Sequence, residues 1–204
     1  MKSASLAYEF RSPHFTIVLN GGIMFIIGIA GGTCSGKSTL AERLAERYGD
    51  RCRVMHMDSY FRKPSITTVA PITGKTYVEH NHPDALVLDR LYADFEENAA
   101  SPDFDILIIE GLFALYLEPI RNRLDLKLYV DLDSDERLVR RIRRFTSFGQ
   151  TFDGVTDRYI DTVRFRHNEL IEPTRWHADL VVNGIAGPLS VDVLSAYIDT
   201  RING

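Results

Sequence analysis

Phe25-Ile26-Ile27-Gly28-Ile29-Ala30-Gly31-Gly32-Thr33-Cys34-Ser35-Gly36-Lys37-Ser38-Thr39 is the stretch on which the fold turns. Its first six residues form a near-continuous β-favouring run, the pattern of a strand covered on both faces. Residues 31–38 fit G-x-x-x-x-G-K-S/T, and Leu40, Ala41, Leu44, Ala45 and Tyr48 then recur at helical spacing until Gly49 stops the pattern. Strand, glycine-rich turn and helix in that order make the setting in which such a loop cradles phosphate. Glycines let successive N–H groups face one anion, and the helix adds the positive end of its dipole. Lys37 is then expected to reach the outer phosphates of ATP, and Ser38 to offer a hydroxyl to Mg²⁺, a hard ion that takes oxygen ligands. Gly31, Gly32, Thr33, Cys34, Ser35, Gly36 and Thr39 complete the expected nucleotide-binding set.

Outward from this unit, Arg53 to Met57 reads as a second strand ending at Asp58, residues 62–81 as loop, and Leu88, Leu91, Tyr92 and Phe95 as a helix. Phe104 to Ile109 is a third strand ending in Glu110, and Leu126 to Leu132 a fourth. Leu138, Val139, Ile142 and Phe145 mark the apolar side of a helix whose other side carries Arg137, Arg140, Arg141 and Arg144. Residues 146–153 read as a mobile loop, followed by a helix through Val155, Tyr159, Val163 and Leu170, a fifth strand over 179–182 and a terminal helix from Leu189 to Ile198. Strands alternating with helices call for a parallel sheet with right-handed crossovers. The expected fold is therefore a P-loop NTPase-type three-layer α/β/α domain over residues 23–204, with a five-stranded parallel sheet and a helical lid around 137–153. Residues 1–22, apart from the short apolar run Phe15–Leu19 that suits an edge strand, read as an N-terminal extension, either disordered or a mis-assigned start with Met24 as the natural one.

The 204 residues are 45% hydrophobic and 25% charged, which fits one globular domain with a core large enough to need no disulfides. A formal charge of −4 argues against a general nucleic-acid or membrane binder, so any phosphate site is local. Two cysteines without CxxC spacing suit a reducing, cytoplasmic address. Asn122-Arg123-Leu124-Asp125 is similar to the guanine-reading N-K-x-D of GTPases, but it lacks the lysine and precedes a strand instead of following one.

In an open parallel sheet the carboxyl ends of the strands converge on the ligand crevice, which draws Asp58 and Glu110 to the phosphate loop. Asp58 is the candidate base for a hydroxyl acceptor, and Glu110 the candidate metal-side carboxylate. Arg141 and Arg144 are placed to close over phosphates, Tyr60 and Phe61 to pack against a sugar or base ring, and, by similarity to related kinases whose adenine lies near the last strand, Trp176 with His177 to border the adenine.

Gly31 to Thr39, Asp58-Ser59-Tyr60-Phe61, His82-Pro83-Asp84-Ala85, Ile109-Glu110-Gly111, Tyr129-Val130-Asp131-Leu132-Asp133 with the four arginines, Ile171-Glu172-Pro173-Thr174 and Ala178-Asp179-Leu180 together resemble the uridine kinase family over about residues 24–184. Nicotinamide riboside kinases are similar through Phe25–Ile29 and Ile106–Gly111. The resemblance implies transfer of the γ-phosphoryl of ATP to the ribose 5′-hydroxyl of a uridine- or cytidine-like nucleoside with Mg²⁺. It makes Asp58 the base, Ser38 and Glu110 the metal-side groups, Arg141 and Arg144 the lid arginines, and Tyr60, Asn81 and His82 substrate contacts. Asn81 stands where uridine kinases usually carry an aspartate, and Phe148-Gly149-Gln150 replaces their Arg-Gly-Arg. Nicotinamide riboside, another small alcohol, and a nucleotide-binding regulatory role without catalysis stay open as alternatives, as does a homo-oligomer.

Overall fold

A computed structural model describes residues 24–185 and 187–203; the extension read at 1–22, with its Phe15–Leu19 run, lies outside the described residues. The elements follow as β1 (Phe25–Gly31), α1 (Lys37–Tyr48), β2 (Cys52–His56), β3 (Thr67–Val69), β4 (Thr76–Val78), α2 (Leu88–Ala99), β5 (Ile106–Glu110), α3 (Glu118–Arg121), β6 (Leu126–Asp131), α4 (Ser134–Ser147), α5 (Phe152–Arg158), α6 (Arg164–Arg166), β7 (Leu180–Asn183) and α7 (Pro188–Ile202). The main sheet has the order β2-β5-β1-β6-β7 with every pair parallel, so the five-stranded expectation holds. β1 and β5 have strand neighbours on both sides and helices on both faces, which is why every one of their residues is buried.

Their side chains alternate between two cores. Ile26, Ala30, Leu107 and Ile109 pack with Leu91 and Phe95 of α2, while Phe25, Ile27, Ile29, Ile106 and Ile108 pack with Leu40 and Leu44 of α1 and with Leu194 and Ile198 of α7. This sandwich fixes the carboxyl ends of β1, β2 and β5 side by side. Register pairs Ile29 with Glu110 and His56 with Glu110, so the phosphate loop and both acid-bearing ends share one edge.

Four local readings are corrected. Residues 62–81 are not all loop: β3 and β4 form an antiparallel hairpin, held from outside by Thr73 and Tyr77 hydroxyls donating to Asp161 at 2.8 and 2.7 Å. Asp58 does not end β2, which stops at His56, but sits in the 3₁₀ turn Met57–Tyr60 that follows. The third correction concerns α4, which does not divide into an apolar inner side and a charged outer one: Arg137 and Arg141 are buried, Leu138, Ile142 and Phe145 are half-buried, and Val139 is 45% exposed. Arg137 Nε donates to the Leu132 carbonyl at 2.9 Å, Arg141 Nη1 donates to Thr33 Oγ1 at 2.9 Å, and the Arg141 guanidinium lies over the Phe145 ring at 4.4 Å. These contacts give each guanidinium one hydrogen bond, while Arg137 Nη1 and Arg141 Nε stay buried without a partner among the described residues. α4 also runs on to Ser147, so the loop expected over 146–153 shrinks to the four residues before α5. No helix among the described residues is long and apolar enough to cross a membrane.

Candidate active site

The phosphate loop is built by backbone that only certain residues adopt. Gly36, at φ 107°, caps α1 without any side-chain bond, and α1 has no acid in its first turn. The first N–H groups of that helix therefore lack an intrahelical or side-chain partner, and the dipole end carries no compensating carboxylate. Cys34 takes a left-handed conformation at φ 60° to complete the curl, which makes its backbone the relevant part. Ser35 is fully buried and its Oγ has no partner among the described residues. Lys37 is 9% exposed, with no ion-pair or hydrogen-bond partner there. An unpaired ammonium at the cavity wall beside a fan of unpaired N–H groups is a donor set that an anion completes, so it fits a polyphosphate.

Glu110 meets the loop directly. Ser38 Oγ donates to Glu110 Oε2 at 3.1 Å, and Glu110, 4% exposed, shares its other oxygen with His56 Nδ1 at 2.8 Å. His56 was not singled out from the sequence; its place opposite Glu110 in the β2–β5 register is what brings it there. A hydroxyl beside a carboxylate is the hard-oxygen pair that Mg²⁺ accepts when phosphates and water fill the remaining positions. Among the described residues, no cluster of three or more His, Cys, Asp or Glu stands ready to cage a metal alone.

Beside this pair opens a cavity of about 370 Å³, lined by Thr33, Cys34, Lys37 and Ser38 from the loop side, by Asp58, Phe61, His80 and Asn81 opposite, and by Arg141, Arg144, Phe148, Gln150 and Arg158 from the α4–α5 side. A second space of about 270 Å³, behind the loop, is lined by Gly36, Thr39, Arg43, Arg140 and the 182–185 turn, where Arg140 Nη1 donates to the Gly184 carbonyl at 3.2 Å. Arg141 has its pKa pulled down to about 10, chiefly by burial and then by the neighbouring charges of Arg158 and Arg144. Burial likewise lowers Arg158 and, with Arg158 beside it, His80.

Not every expected residue converges there. The Tyr60 hydroxyl donates to Asp94 at 2.9 Å, its ring lies against Arg90, and burial pushes it up to about 12; it does not line the cavity. His82 Nδ1 accepts from the Asp84 N–H at 3.2 Å, capping the short turn Pro83–Ala85, and also stays outside. Trp176 is 89% exposed and borders neither space. Asn81 does line the cavity, its N–H held by buried Glu79 at 2.6 Å. Arg158 and His80 are additions that no motif announced. The faint signal for Arg158 is its helical spacing between Val155 and Thr162, both buried.

The family model described as Phosphoribulokinase / Uridine kinase family matches residues 95–188. A protein named uridine kinase from Lactobacillus helveticus is 34% identical over 204 aligned positions, covering 87% of this chain and 95% of that one. One of the same name from Clostridium novyi is 32% identical, covering 85% and 94%. Among solved structures, phosphoribulokinase from Rhodobacter spheroides aligns with a TM-score of 0.55 at 18% identity over 79% of this chain and 70% of that chain, a likeness of fold.

Proposed function

The chain belongs to the phosphoribulokinase and uridine kinase family, and from that premise we propose that it transfers the γ-phosphoryl group of ATP to the 5′-hydroxyl of a uridine- or cytidine-like nucleoside. The observation that carries the reading is the meeting, in one cavity, of Lys37 and Ser38 from the phosphate loop with the Asp58 carboxylate. A donor anion site and a proton acceptor on facing walls are what a phosphotransferase to an alcohol needs; hydrolysis alone needs no such acceptor space.

The loop N–H groups and Lys37 hold the donor phosphates, and the guanidinium of Arg141, anchored on Thr33, faces the charge that spreads over the equatorial oxygens. Arg144 adds to it from the next helical turn. Asp58 accepts the proton of the attacking hydroxyl as the new oxygen–phosphorus bond forms and the bond to the leaving ADP oxygen breaks. Asn81 offers an amide to the ribose hydroxyls. Ser38 and Glu110 would hold a Mg²⁺ ion, which would supply charge neutralisation to the donor phosphates. Phe148 and Gln150, on the short connection between α4 and α5, border the acceptor space and are the parts placed to exclude water from it.

The test is product identification. With Mg·ATP and uridine, the reading expects uridine 5′-monophosphate and ADP in equal amounts, assigned by mass and phosphorus NMR, and no ADP without acceptor. ATP binding with no phosphorylated product across the nucleosides would instead favour a nucleotide-binding regulatory role.

A further inference from the structure

Four cations border the main cavity, and the triphosphate accounts for three of them, Lys37, Arg141 and Arg144. The fourth, Arg158, is tied to the acceptor end. Its Nη2 donates to the Val78 carbonyl at 2.6 Å and meets His80 Nδ1 at 2.7 Å, both at the close of the β3–β4 hairpin. No ion pair at contact distance holds it among the described residues: the Glu79 carboxylate acts on it from further off and is itself paired with Arg166, and the Arg158 Nε is buried without any hydrogen bond. Because a guanidinium only donates, His80 Nδ1 must be the acceptor of their bond, which leaves the imidazole neutral with its proton on Nε2. Every group that Arg158 and His80 still have to offer is then an N–H donor. Phe61, its ring 4.7 Å from that of His80, closes the same wall with an aromatic edge.

We propose that Arg158 is a specificity-determining residue that selects a neutral, carbonyl-bearing nucleoside base and excludes a cationic one. A pyrimidine carbonyl oxygen completes the uncommitted donors. A pyridinium base brings a positive charge against a desolvated guanidinium with Arg141 close behind it; of the carboxylates near this wall, Glu79 is already paired with Arg166 at 3.2 Å and Asp58 serves the attacking hydroxyl. The inference rests on the nucleoside kinase reading and narrows it, separating uridine and cytidine from nicotinamide riboside.

The experiment measures kcat/KM for uridine, cytidine and nicotinamide riboside in the full chain and in Arg158→Gln and Arg158→Lys, with the KM for ATP and the melting temperature recorded for each. The wild type is expected to prefer the pyrimidine nucleosides at least about a hundredfold. Arg158→Gln should raise the pyrimidine KM and shrink that preference at least tenfold with the ATP KM unchanged, while Arg158→Lys, which keeps the charge, should still reject nicotinamide riboside. Equal use of nicotinamide riboside by the wild type, or an unchanged preference in Arg158→Gln, overturns the proposal and leaves the kinase reading standing. A drop in melting temperature with the preference intact reduces Arg158 to a brace for Val78 and also overturns it. No turnover of any nucleoside, with ATP still bound, removes the kinase reading and this inference together.

Discussion

Gly32→Ala puts one methyl group between the phosphate loop and the Arg137 and His167 side chains. A Cβ at that position would lie 2.6 Å from Arg137 Nη1, 2.9 Å from its Cζ and 3.0 Å from His167 Cε1. Ordinary contact between such atoms begins at about 3.5 Å, so three overlaps of roughly half to almost one ångström appear at once. None is easily relieved. Arg137 is 4% exposed with its Nε bonded to the Leu132 carbonyl, and His167 is 6% exposed with its Nε2 at 3.1 Å from Glu172. Overpacking of this kind costs about 1–3 kcal/mol, and at this chain length each kcal/mol lowers the melting temperature by about 2–4 °C. The loop itself is the freer partner, so part of the cost should emerge as displaced N–H groups and a KM for ATP raised about tenfold or more, with the nucleoside KM little changed. Thermal unfolding and initial-rate kinetics read both effects. Gly187→Ala, with nothing within 4 Å of the added carbon, serves as the control and should change neither. A Gly32→Ala protein with wild-type melting temperature and ATP KM would refute the packing argument.

Glu110→Gln keeps the shape of the metal-side group and removes its charge, so the Mg²⁺ concentration for half-maximal rate should rise about tenfold; a metal titration with an unchanged midpoint would place Mg²⁺ elsewhere. Burial, aided by the Arg137 charge, pushes the His167 pKa down to about 4 from 6.5. The folded state thus favours the neutral ring: its contribution is complete above pH 6.5 and is lost as the pH falls towards 4. Melting temperature against pH should therefore fall less steeply over that range in His167→Gln than in the wild type, and parallel curves would contradict the assignment.

The phosphate loop, the strand alternation and Glu110 were legible because they are local. A run buried on both faces and a glycine that must take positive φ leave marks in consecutive residues, and the parallel sheet then carries Glu110 to Ser38. What escaped depends on distant partners. β3 and β4 are three residues each, polar, and stabilised by bonds to Asp161 and from Arg158 far along the chain. α4 reads as an amphipathic helix, yet Arg137 and Arg141 turn inward to Leu132, Thr33 and Phe145, and no periodicity rule can register such partners. Tyr60 and His82 lie next to site residues in sequence but are spent on Asp94 and Asp84.

The most direct test of the account is the acceptor-dependent rate of ADP formation from Mg·ATP with uridine in the wild type and in Asp58→Asn, measured side by side with ATP affinity. Loss of the candidate base should lower kcat about 10²–10⁴-fold while ATP binding stays intact. An Asp58→Asn protein that still phosphorylates uridine at the wild-type rate would contradict the assignment of Asp58, and with it the placement of the reacting hydroxyl in this cavity.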